Sequence, residues 1–482
     1  MVDQVAELLP EGKQLYLVGG AVRDQFLGRP STDFDFVVDA GAIEFARRVA
    51  NQIKGDFYVL DEERDAARVL LGSGVRLVLD FVGQRGASLE EDLKERDFTV
   101  NALGLRLGGD IRLFDPCNGV QDLRNGILRV CQPDAIEQDP VRALRAVRLA
   151  AQFKLQIDGE SLRAIKAGAS RVMESSAERV RDEFMRLLML PKAESNLRIL
   201  DAVGVLGQIL PEMEALKERE QSPPHQFNVW EHTLKAVAGL EKTLGLLQRD
   251  YPAEGAQDLI GGLIVLKLGR FRGPISDLLE AEAVQGRPRW ALLLLALLLH
   301  DVGKGPTQEI GEDRIRYPGH EAASAEMARD WMQAMKFSRG EIEAVGLIIG
   351  THKRVTELGR LEKGPGPLEV YRYFRELGEL GIDLGLHSLA DLMGRWGAEL
   401  PEEALSKRLE VVRALFEGYF ERREEFVAPP SLLDGNVLVE KLKMKPGPRI
   451  GEVLEALREA QVQGLVATGE EALAFARQQA GL

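Results

Sequence analysis

The chain has 482 residues, 45% hydrophobic and 29% charged, with a formal net charge of −14. That is about three domains of ordinary globular sequence at roughly 100–200 residues each. The acidic balance argues against an indiscriminate nucleic-acid binder, which normally presents a basic surface. The longest apolar run, Trp290 to Leu299, stops at ten residues, well short of the ~18 that span a bilayer. There is no basic segment followed by an apolar one at the start, and two cysteines, Cys117 and Cys131, cannot build a disulfide framework. These features predict a globular protein of the cytoplasm. Locally the balance reverses, since residues 121–190 hold twelve Arg or Lys against ten Asp or Glu.

In chain order, Leu15-Tyr16-Leu17-Val18 reads as a strand running into Gly19-Gly20, with a helix from Ala21. Phe34 to Val38 and Val75 to Val82 are β-rich, and Ala42 to Ile53 between them has helical spacing. From about Pro133 strand signals fade, and helices are expected over 139–153, 160–170, 176–190 and 193–202. Gln221-Ser222-Pro223-Pro224 reads as a linker, because consecutive prolines stop a helix. Residues 225–427 read as wholly helical, and Ala428-Pro429-Pro430 opens a C-terminal tail.

Chemistry concentrates first in Asp33-Phe34-Asp35-Phe36. In a strand, residues two apart share a face, so both carboxylates project together and both phenylalanines point to a core. An exposed edge strand would also carry such acids. A divalent cation would remove their mutual repulsion, and Mg²⁺ is typically held by one or two carboxylates plus substrate phosphates. Gly19 and Gly20 let backbone N–H groups approach a phosphate at a helix start, and Arg23 adds charge there. Asp80 could supply a third carboxylate from a neighbouring strand. Arg96-Asp97-Phe98-Thr99-Val100-Asn101 combines a guanidinium, a carboxylate and an amide, a set suited to ribose and phosphate. Asp139-Pro140-Val141-Arg142 opens a helix with Pro in its first turn. Asp139 and Arg142 there could be an intrahelical ion pair or a reader of a base edge. Arg145 and Arg148 each turn a further ~60° about the axis, which suits them to different phosphates.

These stretches, in this order and together with Phe114-Asp115-Pro116, Gly119 and Asp122-Leu123, resemble the motifs of the class II tRNA nucleotidyltransferase and poly(A) polymerase family. The resemblance covers roughly residues 13–200, and the tail from Leu432 to Phe475 is also similar. It implies an α+β protein. A small mixed α/β nucleotidyltransferase head (1–135) is followed by a helical neck and body with the base-reading motif (136–222). A helical HD domain (223–427) and a helical tail (428–482), a candidate tRNA contact, complete it. It further implies that Asp33 and Asp35, with Asp80 as third acid, hold catalytic Mg²⁺. Gly19, Gly20, Arg23, Arg96, Asp97, Asn101, Arg145 and Arg148 would bind the nucleotide, and Asp139 and Arg142 would select its base without a nucleic-acid template. One departure is Gln138, where the family usually has Glu.

A second cluster lies in the helical half, which holds five of the six histidines between 225 and 352. The order His232, His300-Asp301, Asp391 resembles the HD superfamily of metal-dependent phosphohydrolases. His320 and His352 fall where two-metal members carry extra ligands. Imidazole with carboxylate suits a divalent metal, whose identity the sequence leaves open. His225 and His387 read as structural.

The leading expectation is a tRNA nucleotidyltransferase acting on the tRNA 3′ end with CTP, and ATP as a second candidate donor. The HD domain is a candidate for a separate phosphohydrolase activity. A full CCA-adding enzyme and a poly(A) polymerase are alternatives of the same chemistry. An HD phosphohydrolase whose N-terminal region only binds nucleotide is an alternative of another class, disfavoured by the intact Asp33, Asp35, Asp139 and Arg142. Fifteen residues, 81–95, separate Asp80 from Arg96. Ser88 to Glu95 reads as a helix opened by a capping box, which leaves 81–87 as the whole loop. Relatives that add CCA, or only the final A, usually carry a much longer flexible segment here, so the short link resembles the CC-adding branch. It also has too little reach to act as a lever on a base pocket. CTP addition is therefore expected to stop after two residues, with a separate A-adding enzyme completing the end.

Overall fold

A computed structural model describes residues 1–72, 77–86, 88–108, 110–251, 258–284 and 286–481. They form two compact units, one of Met1–Leu190 with Arg198–Ile209 and one of Pro191–Leu197 with Leu210–Leu482.

The first unit is built on a seven-stranded sheet. Its strands are β1 (Leu15–Val18), β2 (Asp33–Val38), β3 (Asp56–Asp61), β4 (Ala66–Leu71), β5 (Leu77–Gly83), β6 (Gly104–Leu107) and β7 (Leu113–Phe114). They lie in the order β3-β4-β5-β2-β1-β6-β7. Within this sheet, among the described residues, only β2 and β5 pair in parallel. A parallel pair needs a crossover, supplied here by the Ala42–Ile53 helix and the β3–β4 hairpin. That hairpin has no counterpart in the sequence reading. Tyr58, Val59 and Leu60 are all exposed on the edge strand β3, so the alternation that announces a half-buried strand is missing. Of the expected β-run from Val75, residues 75 and 76 lie outside the described residues. At its other end the strand continues to Gly83.

Alternation sorts the side chains of β1 and β2. Leu15, Leu17, Phe36 and Val38 join Val69, Leu79 and Phe81 in a core closed by Phe45 and Val49 of the crossover helix. The rings of Phe36 and Phe81 stack at 4.9 Å. Tyr16, Val18 and Val37 face the other way, under Leu89 and Leu93 of the Leu89–Lys94 helix. Asp33 and Asp35 share the face of Val37, opposite Phe36. Beyond the sheet the expected helices form as Val141–Phe153, Gly159–Gly168 and Ala177–Leu188.

The second unit is helical, with its longest members at Val229–Leu246, Leu380–Trp396 and Glu402–Phe420. It is not wholly so over 225–427. Two short antiparallel pairs intervene, Glu282–Val284 with Arg287–Pro288 and Glu309–Ile310 with Ile315–Arg316. Strands of two or three residues are too short to show a period. The expected linker at 221–224 is fastened to its own unit: Gln221 donates to the Phe227 carbonyl, and Ser222 Oγ accepts the Ile315 N–H. The tail helices Gly435–Leu442, Pro448–Val462 and Gly469–Ala480 enclose a small core of Leu438, Val453, Leu457 and Ala472. Among the described residues no helix is long and apolar enough to cross a membrane.

Candidate functional site

At the end of β1 the chain turns through Gly19, whose φ of +74° a side chain rarely adopts. A Cβ there would also meet Arg96 Nη1 at 2.7 Å and Asp35 Oδ2 at 3.3 Å. The bare backbone is what lets a strand end, an arginine and a carboxylate close around one point. Asp35 on β2 stands opposite Asp80 on β5, and Asp80 opposite Arg68 on β4, so the three form a row across the sheet. Burial pushes the Asp35 carboxyl up; Arg96 opposes this, and Asp80 and Asp33 add to it. Arg68, absent from the sequence reading, donates to both oxygens of Asp80 at 2.7 and 2.8 Å. Asp80 thus has its charge answered from the side of β4. Asp33 and Asp35 are the pair left for a cation.

Next to them a cavity of about 690 Å³ is lined by Gly19, Gly20, Arg23, Arg96, Asp97, Asn101, Arg145 and Arg148, with Asp33 and Asp35. Asp80, Asp139 and Arg142 are not on its wall. The polar groups behind it form a connected chain. Arg23 donates to Asp24 at 2.7 Å and to Asn101 Oδ1 at 2.5 Å, and Asn101 donates to Asp97 at 3.0 Å. Asp97 also accepts from the Phe98 N–H and from Arg145 at 3.1 Å. Burial alone would raise the Asp97 carboxyl, but Arg145 and these hydrogen bonds outweigh it and hold it low. Asp97 and Asn101 therefore fix the arginines instead of standing free for a ribose. Arg96 is the contrast, because its Nε is buried with no hydrogen-bond partner.

Arg145 and Arg148 do not diverge as their helical spacing suggested. Arg145 Nε reaches one oxygen of Glu183 at 3.0 Å and Arg148 Nε the other at 2.6 Å. Long side chains three residues apart converge easily on one buried carboxylate. Glu183 sits on the Ala177–Leu188 helix four residues after Arg179. Arg179 in turn grips Asp139 through both oxygens, at 3.1 and 2.6 Å. The Ala177–Leu188 helix is thus tied at three points to residues 139–148. Arg142 Nε lies 3.7 Å from Asp139, and its other nitrogens donate to the Ala135 and Glu95 carbonyls. Gln138, in the place of the usual Glu, is exposed and bonds Asp134. Arg68, Arg179 and Glu183 were missed. The Arg-x-x-x-Glu spacing at 179–183 was the available signal, but partners on two helices cannot be read from one.

In the second unit, the expected residues meet. His232 Nε2 lies 3.1 Å from Asp391, 3.4 Å from Asp301 and 3.4 Å from His300 Nε2. His300 Nε2 is 3.1 Å from Asp301, and His320 Nε2 is 3.3 Å from its other oxygen. His232, His300 and Asp301 form one triad with ligand-type atoms mutually within 4.8 Å; Asp301, His320 and His352 form another. His300, His320 and His352 each set Nδ1 at 2.7 Å from the carbonyl three residues back. A carbonyl there fixes Nδ1 as the protonated nitrogen and leaves Nε2 as the lone pair, the outer support that metal-binding imidazoles use. Gly303 lets the His300-Asp301 turn press against the His320 helix, where a Cβ would meet the Ser324 nitrogen at 2.4 Å.

The charges at this centre are set by their immediate neighbours. Asp301 is held well below the carboxylate range, against its burial, by His300 and Lys304; Asp391 likewise by Arg395 and His232. His300 is pushed up to about 9, against its burial, by Asp301 and Asp391. Asp301 Oδ1 and His232 Nδ1 are buried without hydrogen-bond partners. The donor set and these unmet atoms fit one or two divalent ions. A cavity of about 600 Å³ beside the cluster is lined by Lys304, Arg314, Arg316, Lys353 and Arg360, and by Gln221 to His225 of the expected linker.

One unit thus carries an arginine-lined cavity beside a paired-carboxylate strand, and the other a buried imidazole–carboxylate cluster. Residues 15–79 and 78–129 match the poly A polymerase head domain. Residues 154–217 match the probable RNA and SrmB-binding site of polymerase A, and 275–414 the HD domain. The chain is 33% identical to an A-adding tRNA nucleotidyltransferase of Deinococcus radiodurans, over 95% of its own length and 94% of the relative's. It is 32% identical to a CC-adding tRNA nucleotidyltransferase of Thermus thermophilus, over 96% and 93%. The chain belongs to the tRNA nucleotidyltransferase and poly(A) polymerase family. Among solved structures it resembles a CCA-adding enzyme in an apo form, with a TM-score of 0.63 at 19% identity over 98% and 92% of the two chains. Another is the Thermotoga maritima CCA-adding enzyme complexed with tRNA, with a TM-score of 0.57 at 20% identity over 99% and 94%.

Proposed function

We propose that this protein adds CC to tRNA 3′ ends from CTP, without a nucleic-acid template, and leaves the terminal A to a separate enzyme. The observation that carries the CC-only reading is the link between β5 and the next helix. The strand ends at Gly83 and Ser88 caps the helix by accepting the Glu91 N–H, so only 84–87 connect them. This is shorter still than the 81–87 loop expected from the sequence; Ala87 itself lies outside the described residues. Identity does not choose between the donors, since A-adding and CC-adding relatives stand at 33% and 32%.

In this reading Asp33 and Asp35 hold Mg²⁺, with Asp80 as a third acid once Arg68 releases it. Bound Mg²⁺ would acidify the attacking 3′ hydroxyl and neutralise charge on the triphosphate. Gly19 and Gly20 let backbone N–H groups reach a phosphate, and Arg96 brings a guanidinium with an unmet nitrogen. Asp97, Asn101 and Glu183 hold Arg23, Arg145 and Arg148 rigid, so little reorganisation is needed as charge develops. Asp139 accepts from the exocyclic amine of cytosine, and Arg142 donates to its ring acceptors. Arg179 keeps the Asp139 carboxylate aimed. The HD cluster holds divalent metal and hydrolyses phosphate esters as a separate activity. The finer division into head 1–135, neck and body 136–222, HD domain 223–427 and tail 428–482 belongs to the same proposal.

The test is purified protein with tRNA lacking its 3′ end, each triphosphate singly and combined, followed by end sequencing. CTP alone should give two added residues, with ATP scarcely used. Efficient CCA ends from this protein alone would overturn the CC-only claim. ATP addition to tRNA already ending in CC would make it an A-adding enzyme. No addition with any triphosphate would overturn the transferase reading.

A further inference from the structure

His387 lies on the Leu380–Trp396 helix, four residues and so about one turn before Asp391. It is fully buried, and neither ring nitrogen has a hydrogen-bond partner among the described residues. Its ring centre is 5.2 Å from that of His300 and 5.9 Å from that of His352, so it borders both candidate triads. A neutral imidazole always carries one N–H and one lone pair, and a buried donor left unmet destabilises the fold. Each neighbouring imidazole has at least one nitrogen met, where His387 has neither: His300, His320 and His352 have a carbonyl at Nδ1, and His232 has Asp391 at Nε2. An apolar side chain would fill the His387 position without the penalty. Packing alone therefore gives no reason for an imidazole here, whereas a species bound at the adjacent acid-rich centre does.

We propose that His387 is a further ligand of the HD centre and lends a ring nitrogen to a divalent cation there, which makes the centre imidazole-rich and selective for first-row transition metals over Mg²⁺. This rests on the reading of the HD cluster as a metal site. Five imidazoles, those of His232, His300, His320, His352 and His387, then surround the Asp301 and Asp391 carboxylates. Imidazole nitrogen suits Fe²⁺, Co²⁺, Ni²⁺ or Zn²⁺, whereas Mg²⁺ prefers oxygen and keeps its waters.

The experiment uses the full-length chain, stripped by chelation, with Co²⁺ and Mg²⁺ as probes and His387→Leu and His387→Gln as variants. Three quantities are read: the melting temperature without metal, the Co²⁺ affinity, and the visible absorption of bound Co²⁺. The expected result is a metal-free His387→Leu protein that melts at or above the wild-type temperature, since the unmet N–H is gone. Its Co²⁺ affinity should fall roughly 10–100-fold, the loss seen when groups supporting a metal site are removed, and its Co²⁺ spectrum should change. Millimolar Mg²⁺, which the Asp33 and Asp35 pair would take up, should not displace Co²⁺ from the imidazole centre. Should His387→Leu fail to fold, His387→Gln carries the same comparison. Unchanged Co²⁺ affinity and spectrum in the folded variant would exclude His387 from the centre while leaving the metal site standing. A wild-type protein that binds no divalent cation would overturn both.

Discussion

Asp35 is the residue at which two demands conflict. It is pushed up by burial and by Asp80 and Asp33, with Arg96 the largest opposing influence. A carboxyl raised in this way makes its ionised form a net cost to the fold above its unfolded value of about 3.9. Asp35→Asn is therefore expected to abolish nucleotide addition while the melting temperature holds or rises. A variant that melts much lower, or still adds nucleotides near the wild-type rate, would break the link between its burial and a cation. Arg142 is expected to act differently, because it stands beside Asp139 and off the cavity wall. Arg142→Ala should reduce discrimination among the four triphosphates by ~1–3 kcal/mol, as loss of a base-edge donor does. An equal loss with each triphosphate, read from kcat/KM, would make it a structural residue.

Between elements, the decisive connection is Glu183, which ties the Ala177–Leu188 helix to Arg145 and Arg148 of the Val141–Phe153 helix. Glu183 is held below its ordinary value because Arg148 and Arg145 together outweigh the effect of its burial. A depressed carboxyl contributes stability that is fully present above its unfolded value of about 4.3 and is lost as pH falls through its lower folded value. Glu183→Gln should cost about 3 kcal/mol at pH 7, the scale of breaking a buried pair, and progressively less as the pH falls below 4. Denaturant unfolding of both proteins across that range checks it, and a pH-independent difference would contradict it. The expected helices themselves were legible, because Val141, Leu144 and Val147 keep a 3.6-residue stripe that is buried in the structure. Their joining was not, since the acid and its two arginines are 35 to 38 residues apart.

At the scale of the whole chain, the two candidate sites lie in separate compact units, the carboxylate cavity within Met1–Leu190 and the imidazole cluster after Leu210. They share no residue, so they are expected to fail independently. His300→Ala with Asp301→Ala should remove the divalent metal of the imidazole cluster and any phosphoesterase activity, yet leave the rate of nucleotide addition within about twofold, as additivity of independent sites implies. Elemental analysis of the wild type and the variant, alongside the tRNA assay, checks both halves. A large fall in addition would mean that the second unit supports the first.

The sequence by itself determined which residues carry the chemistry. The i, i+2 spacing of Asp33 and Asp35 fixes a shared face in any strand, and the order of motifs along the chain survives without coordinates. Local spacing likewise gave the Ala42–Ile53 helix, because its apolar stripe must face a core. Only the tertiary structure decided what each charge meets. Arg68 reaches Asp80 because β4 pairs with β5, Arg179 reaches Asp139 across two helices, and His387 comes to rest beside His300 and His352. Each of these depends on contacts distant in sequence, for which neither periodicity nor spacing leaves a trace. A buried charge or imidazole takes its properties from such neighbours, since in a low-dielectric interior the nearest partner outweighs the residue's own identity.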